Sequence, residues 1–346
     1  MELIQLVNHS SIIISDGKNS LLTDPYLTGS CFNNGWDLIV ETKRTIEDLS
    51  FDYIWISHEH PDHFSPRDLL KIPIEKRGLI TILYQKTKDK KVYDYCIAKG
   101  FNVIELSDHE EFKINDNFSI TACQHRDSDC WSLFKIGSKK ILNLNDCWIY
   151  DKSELKMFND IYGKIDVLLT QFSFANWIGN VGDHKKSEKI SKWHLEKLVV
   201  QSEIINPNYI IPFASFVYFS NEENSYLNNY LIKIKDVFNV TKSSNANPII
   251  LYPDDSWIIG EPFDNEKRAK MWDIAYKNIS KKELRSINKR DIRDLENIFH
   301  KYQKRLFKKN SYNDLIKLKK TDLLPTTYLD IIDLDIKISM DIIDGI

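Results

Sequence analysis

An apolar run closes on a cluster of metal-ligand side chains at "WISHEHPDHF", Trp55 to Phe64. Three of the chain's nine histidines fall between His58 and His63, together with a glutamate and an aspartate. This segment constrains the fold, because a strand must deliver it to a sheet edge and other parts of the chain must supply the remaining ligands. In extended backbone, alternate side chains share a side. His58 and His60 therefore reach one cation, while Asp62 and His63 point at a neighbouring position and Glu59 faces away. Neutral imidazole and carboxylate suit zinc or iron. The plainer reading is a polar loop with hydrogen-bonded histidines, and the H-x-H-x-D-H order outweighs it.

The rest of the first half reads as short strands. "LIQLV", "SIIIS" and "SLLTD" are separated by turn residues and predict a meander. Further strands are predicted at 53–57, 79–84, 101–106, 118–123, 131–136, 140–145 and 166–171, with helices at 66–71, 88–99, 151–162 and about 185–206. Strands with helices inserted between them, without strict alternation, predict a two-sheet α/β layered fold. G-x-G-x-x-G and Walker A segments are absent, which removes the dinucleotide and P-loop readings. From about residue 262 the chain becomes Lys/Arg-rich and helical. There Ser280 with Glu283 reads as a capping box, and Leu284, Ile287, Leu295, Ile298 and Tyr302 read as an apolar face. The last 20 or so residues look more like strand than helix, and the basic residues read as a solvated helix face.

Composition narrows the partners. With 47 Lys and Arg against 50 Asp and Glu, a net charge of -3 gives no field suited to nucleic acid or an anionic membrane. No apolar run reaches the ~18 residues of a membrane span, and the start has no basic-then-apolar signal-peptide pattern. Five scattered cysteines without a C-x-x-C predict reduced thiols in the cytoplasm.

H-x-H-x-D-H after a strand resembles the signature of the metallo-β-lactamase superfamily, over about residues 1–260. That resemblance implies a four-layer αβ/βα metallo-β-lactamase sandwich with metals at one sheet edge. A mostly helical appendage with terminal strands would occupy 261–346. It places Asp24, in "LLTDP", where an aspartate orients the histidine loop, His125 where the next histidine ligand falls, and Asp146 where a bridging aspartate falls. His58, His60 and His125 would hold a first metal; Asp62, His63 and Asp146 would serve a second. The superfamily's final histidine is missing, since Ala214 and Ser215 stand near its place. His184 is a weak substitute, reading better as a surface histidine at a helix start.

"SSIIISDGKNSLLTDPYLTGSCFNNGW", "DVLLTQFSFANW" and "IIPFASFVYFSNEENSYLNN" are similar to the metallo-β-lactamase-like domain of CMP-N-acetylneuraminate hydroxylases. That family also carries a Rieske iron–sulfur domain; no such domain is expected before Met1, and no two-cysteine, two-histidine set is seen. The resemblance implies an iron-dependent oxygenase, with one or two ions, acting on a small polar, nucleotide-sugar-like molecule. Electrons would come from a separate donor protein or the metals themselves. Phe172, Phe174, Trp177, Phe213 and Phe216, with Ser215, follow strand runs and either line a pocket or form ordinary core. His9, in "VNHSSI", lies near the site or makes a structural hydrogen bond. Cys147 reads as a packed thiol. Two alternatives stand beside the oxygenase. One is a zinc hydrolase in which Asp62 or Asp146 orients a water that attacks a phosphoester, lactone or amide. The other is a metal-binding scaffold without turnover.

Overall fold

The computed structural model describes residues 2–126, 129–241, 245–286, 291–331 and 334–346. The chain divides into two compact units, Met1–Arg285 and Ser286–Ile346. The strands of the first are β1 (Leu3–Asn8), β2 (Ser11–Ser15), β3 (Ser20–Thr23), β4 (Trp36–Leu38), β5 (Tyr53–Ile56), β6 (Thr81–Gln85), β7 (Asn102–Leu106), β8 (Glu111–Asn115), β9 (Phe118–His125), β10 (Asp129–Ile136), β11 (Lys139–Asn143), β12 (Val167–Gln171), β13 (Tyr209–Phe213), β14 (Val217–Phe219), β15 (Asn247–Pro248) and β16 (Ser256–Ile258). Its helices are α1 (Pro66–Leu69), α2 (Ile74–Arg77), α3 (Lys91–Ala98), α4 (Lys152–Tyr162), α5 (His184–Ile205), α6 (Ile234–Thr241) and α7 (Asn265–Asn278).

Two seven-stranded sheets form, in the orders β16-β1-β2-β3-β5-β6-β7 and β15-β13-β12-β11-β10-β9-β8. Both are mixed. In the first, β3, β5, β6 and β7 run parallel and the remaining pairs antiparallel. In the second, β11, β12, β13 and β15 run parallel, while β8 to β11 are antiparallel.

The two-residue period of the first sheet builds the layers. Ile12, Ile14, Trp55 and Leu83 pack with Ile120 and Phe134 of the second sheet, whereas Ile13, Ile54, Ile56, Ile82 and Tyr84 pack with Leu69, Ile72, Val92 and Cys96 on the helical side. Trp55 meets Phe134 edge-on, with ring centroids 6.0 Å apart. α3 packs on β6 and β7, and α5 and α6 on β12 and β13. This is the expected two-sheet α/β sandwich. β4 and β14 pair as a separate ribbon that the sequence pattern did not reveal.

The first unit runs past the boundary read near residue 260. Asp264 caps α7 by accepting from the Lys267 N–H, and α7 delivers Trp272 into the core. There the indole lies stacked on Phe216, centroids 4.2 Å apart, and donates to the Leu251 carbonyl at 2.8 Å. Ser280 does not cap a helix; it sits in a 3-10 turn, Ile279–Lys281, and its hydroxyl donates to the Lys277 carbonyl. Leu284 precedes the next helix, and Ile287 lies outside the described residues.

The second unit has α8 (Ile292–Lys309), capped by Asp291, then α9 (Tyr312–Lys320) and a hairpin of β17 (Thr327–Ile331) and β18 (Ile336–Met340). All five cysteines are buried and unpaired. Among the described residues no helix is long and apolar enough to cross a membrane.

Candidate metal centre

The site forms where the carboxyl ends of parallel strands in both sheets meet, the usual place for a ligand in an open α/β sheet. Asp24 follows β3 and is fully buried. Its carboxylate accepts from the Ser57 N–H at 2.7 Å, the Ser57 hydroxyl at 2.9 Å, the Asn145 amide at 2.6 Å and His63 Nδ1 at 3.1 Å. With its own hydroxyl proton committed to Asp24, Ser57 accepts from His58 Nδ1 at 2.9 Å. These bonds place a proton on Nδ1 of both His58 and His63 and aim both Nε2 atoms into the site. His9, Asp24, Asn145 and Ala214 hold positive φ of 38° to 51°. Such left-handed non-glycine backbone, costing of order 1 kcal/mol each, concentrates at functional sites.

His58 Nε2 lies 2.8 Å from His60 Nδ1 and 3.7 Å from Asp129 Oδ1. His63 Nε2 lies 3.2 Å from Asp146 Oδ2 and 3.3 Å from Asp62 Oδ2. Among the described residues, three groups of ligand atoms thus converge within 4.8 Å: His58 with His60 and Asp129, His58 with His63 and Asp146, and His9 with Asp62 and His63. His9 fits the third group poorly as a ligand. Its Nδ1 accepts from the Phe216 N–H at 3.3 Å, so the proton sits on Nε2, which faces Asp62 at 3.4 Å. It orients the Asp62 carboxylate rather than offering a lone pair.

The electrostatics favour a cation. Burial, then the charge of His63, pushes His58 down to about 3, so its imidazole is neutral. Burial also acts against a charged His63, but the carboxylates of Asp62, Asp146 and Asp24 outweigh it and hold the ring well above the usual range. Burial, reinforced by the nearby Asp146 charge, raises Asp129 to about 6. Asp62 Oδ1 is buried without a hydrogen-bond partner. Crowded carboxylates, a neutral imidazole and an orphaned oxygen suit a bound divalent ion.

Some residues expected at the site lie elsewhere. His125 is in none of the three groups. Its Nδ1 lies 3.1 Å from Glu154 Oε1 on α4, in a small separate cavity with His109, Cys123 and Trp131. Asp129, its cross-strand partner in the β9–β10 hairpin, stands beside His58 instead. The sequence offered one signal for this, a carboxylate four positions after His125 across a turn. His184 opens α5 and bonds the Tyr230 hydroxyl, away from these groups. Ser215 accepts from the Phe172 and Ser173 N–H groups at 3.1 and 3.0 Å, tying the ends of β12 and β13 together. Phe172, Phe213 and Phe216 are wholly buried core. Cys147 is a buried thiol that burial pushes upward, consistent with packing.

A cleft of about 660 Å³ opens over His60, Asp62, Asp129 and Asp146, within the range for small-molecule sites. Phe174 and Trp177, which the sequence left open between pocket and core, line it; Trp36, Trp148, Gln171 and His194 were not foreseen. Gln171 donates to Asp146 Oδ1 at 3.2 Å.

Residues 3–156 match the model of the beta-lactamase superfamily domain. The chain is 27% identical over 240 residues to the cytidine monophosphate-N-acetylneuraminic acid hydroxylase of Xenopus laevis, covering 65% of this chain and 40% of that protein. Similarity to such hydroxylases, at 24–27% identity, extends over most of the chain. The chain spans about half or less of the length of the first of these curated relatives. Two solved structures share the fold. CmlA, a diiron beta-hydroxylase from Streptomyces venezuelae, has a TM-score of 0.50 at 14% identity, over 74% of this chain and 54% of that one. Igni18, a metallo hydrolase from Ignicoccus hospitalis, has a TM-score of 0.51 at 14% identity, over 74% and 97%.

Proposed function

We propose that this chain, whose residues 3–156 match the beta-lactamase superfamily domain, is a non-haem iron enzyme that hydroxylates a small polar substrate with O₂. One observation carries the reading: His58, His60 and Asp129 present two imidazoles and one carboxylate to a common point. That donor set, with positions left open, is the one non-haem Fe(II) oxygenases use; catalytic zinc also accepts two histidines with a carboxylate, so the preference for iron leans on the hydroxylase relatives. A first ion would rest on His58, His60 and Asp129, and a second on Asp62, His63 and Asp146. Bound iron would supply the O₂ and electron-transfer chemistry that no side chain here can. The distant hydroxylase relatives agree with this choice.

The chain's own residues hold and enclose that centre. Asp24, acting through Ser57 and directly, fixes the rings of His58 and His63. His9 and Gln171 orient the carboxylates of Asp62 and Asp146. Phe174, Trp36 and Trp148 give the cleft apolar walls that limit water around a bound substrate. Overall, substrate C–H, O₂, two electrons and two protons would give the alcohol and water. The electrons would come from a separate donor protein or domain, and a nucleotide-sugar-like substrate is the class that the hydroxylase relatives suggest.

The test is metal analysis of protein purified without added metal, followed by O₂ uptake with a chemical reductant. Retained iron and reductant-dependent O₂ uptake are expected. Zinc with O₂-independent cleavage of a phosphoester, lactone or amide would favour the hydrolase. Metal binding without either turnover would favour a scaffold.

A further inference from the structure

The inward face of α5 carries two polar groups that the metal centre does not use. His194 is 1% exposed and lines the cleft, yet neither ring nitrogen has a hydrogen-bond partner. Lys197, one turn on and 2% exposed, has an equally unpartnered Nζ. Its ammonium lies 5.9 Å from the ring centroid of Trp148, which also lines the cleft and meets His194 edge-on at 5.4 Å. Positions three apart share a helix face, so the two groups are neighbours. The next polar residue on this face, Gln201, is treated quite differently: it donates to the Ile149 carbonyl at 2.7 Å and accepts from Thr170 at 2.7 Å. An unpaired buried ammonium is costly, and a fold that satisfies Gln201 has left His194 and Lys197 with donors to spare.

We propose that His194 and Lys197 form a subsite for an anionic group of the substrate, a carboxylate or a phosphate, on the α5 wall beside the metal centre. The anion would complete both residues at once: it accepts from the imidazole N–H and from the ammonium, and offsets the buried positive charge. The inference deepens the reading above only in taking this cleft for the substrate's, and it does not require iron. It also gives the cleft a direction, since an anion held at α5 points the remainder of the substrate toward Asp129 and Asp146.

The experiment is titration of the full chain with inorganic phosphate and with acetate, followed by intrinsic tryptophan fluorescence, to which Trp148 contributes beside His194. It is run both after metal removal with a chelator and after loading with iron. Saturable binding of at least one anion is expected in both states, phosphate and acetate separating the two sources of anionic oxygen. Lys197→Met should weaken it about ten-fold or more, with an unchanged or higher melting temperature. His194→Phe should weaken it too, and His194→Asn, which keeps a donor, should weaken it less. The proposal is overturned if neither anion binds, if binding occurs only with metal present, or if Lys197→Met binds as tightly as the wild type. Because the metal-free arm stands alone, a failure to bind iron leaves this test intact.

Discussion

The loop from Ser57 to Phe64 and the α5 wall line one cleft, yet their buried polar groups are treated in opposite ways. On the loop, Asp24 takes four hydrogen bonds, and each histidine it orients has its Nδ1 occupied and its Nε2 aimed at a carboxylate. On α5, the His194 ring nitrogens and Lys197 Nζ have no hydrogen-bond partner. The first arrangement is preorganised: the protein has already fixed the rings and carboxylates, and only a cation is needed to balance them. The second waits for a group that the protein does not supply. One wall is built for a resident ion and the other for a visitor.

Breaking the preorganised wall should have the largest effect. Asp24→Ala strands the Ser57 N–H, the Asn145 amide and His63 in a fully buried place. A loss of about 3–5 kcal/mol is expected, read by urea unfolding, with metal affinity weakened roughly 10–100-fold. A loss below about 1 kcal/mol would mean that the loop does not depend on this carboxylate.

The α5 wall should respond with the opposite sign. Burial, only partly countered by Asp146 and Cys147, lowers Lys197 to about 8 from the 10.5 usual for lysine. Between those values the unfolded chain binds the proton that the folded chain has released, so this group makes stability rise with pH. Below about pH 8 the full penalty is present, roughly 3 kcal/mol by linkage. Lys197→Met should therefore be more stable than wild type at pH 7, and the gap should close between pH 8 and 10.5. His194, held near 3 by burial and the Lys197 charge, stays neutral throughout. A pH-independent difference, measured by urea unfolding across that window, would refute the buried-ammonium account.

The smallest effect belongs to the rim. Trp177 is 57% exposed and lies under the Lys186 ammonium, 4.2 Å from its ring centroid. Trp177→Ala should change stability by less than about 1 kcal/mol. A larger loss in thermal unfolding would place this indole among the structural aromatics, with Phe216.

Much of this was legible before any coordinates. The short apolar strand runs predicted a two-sheet α/β fold, and an apolar strand ending in H-x-H-x-D-H had to open at a sheet edge; which layer Ile12, Ile13 and Ile14 each enter showed only in the structure. What escaped depends on chain direction at turns and on burial of polar groups. Whether His125 or Asp129 faces the loop depends on how β9 and β10 pair, at which the carboxylate four positions after His125 only hinted. His194 and Lys197 escaped notice within the helix predicted at about 185–206, although they share the buried face of α5 with Leu198, Gln201 and Ile205. The aromatics after β12 and β13 divided between core and cleft according to contacts far apart in sequence, such as Phe216 on Trp272.

The central claim, that His58, His60 and Asp129 share a metal, is tested most directly by metal content. Wild type, Asp129→Ala and His125→Ala would be purified without added metal and their bound iron and zinc counted per chain. The account predicts metal retained in wild type and His125→Ala but sharply reduced in Asp129→Ala, with all three folded by circular dichroism. Metal lost from His125→Ala and kept by Asp129→Ala would contradict it.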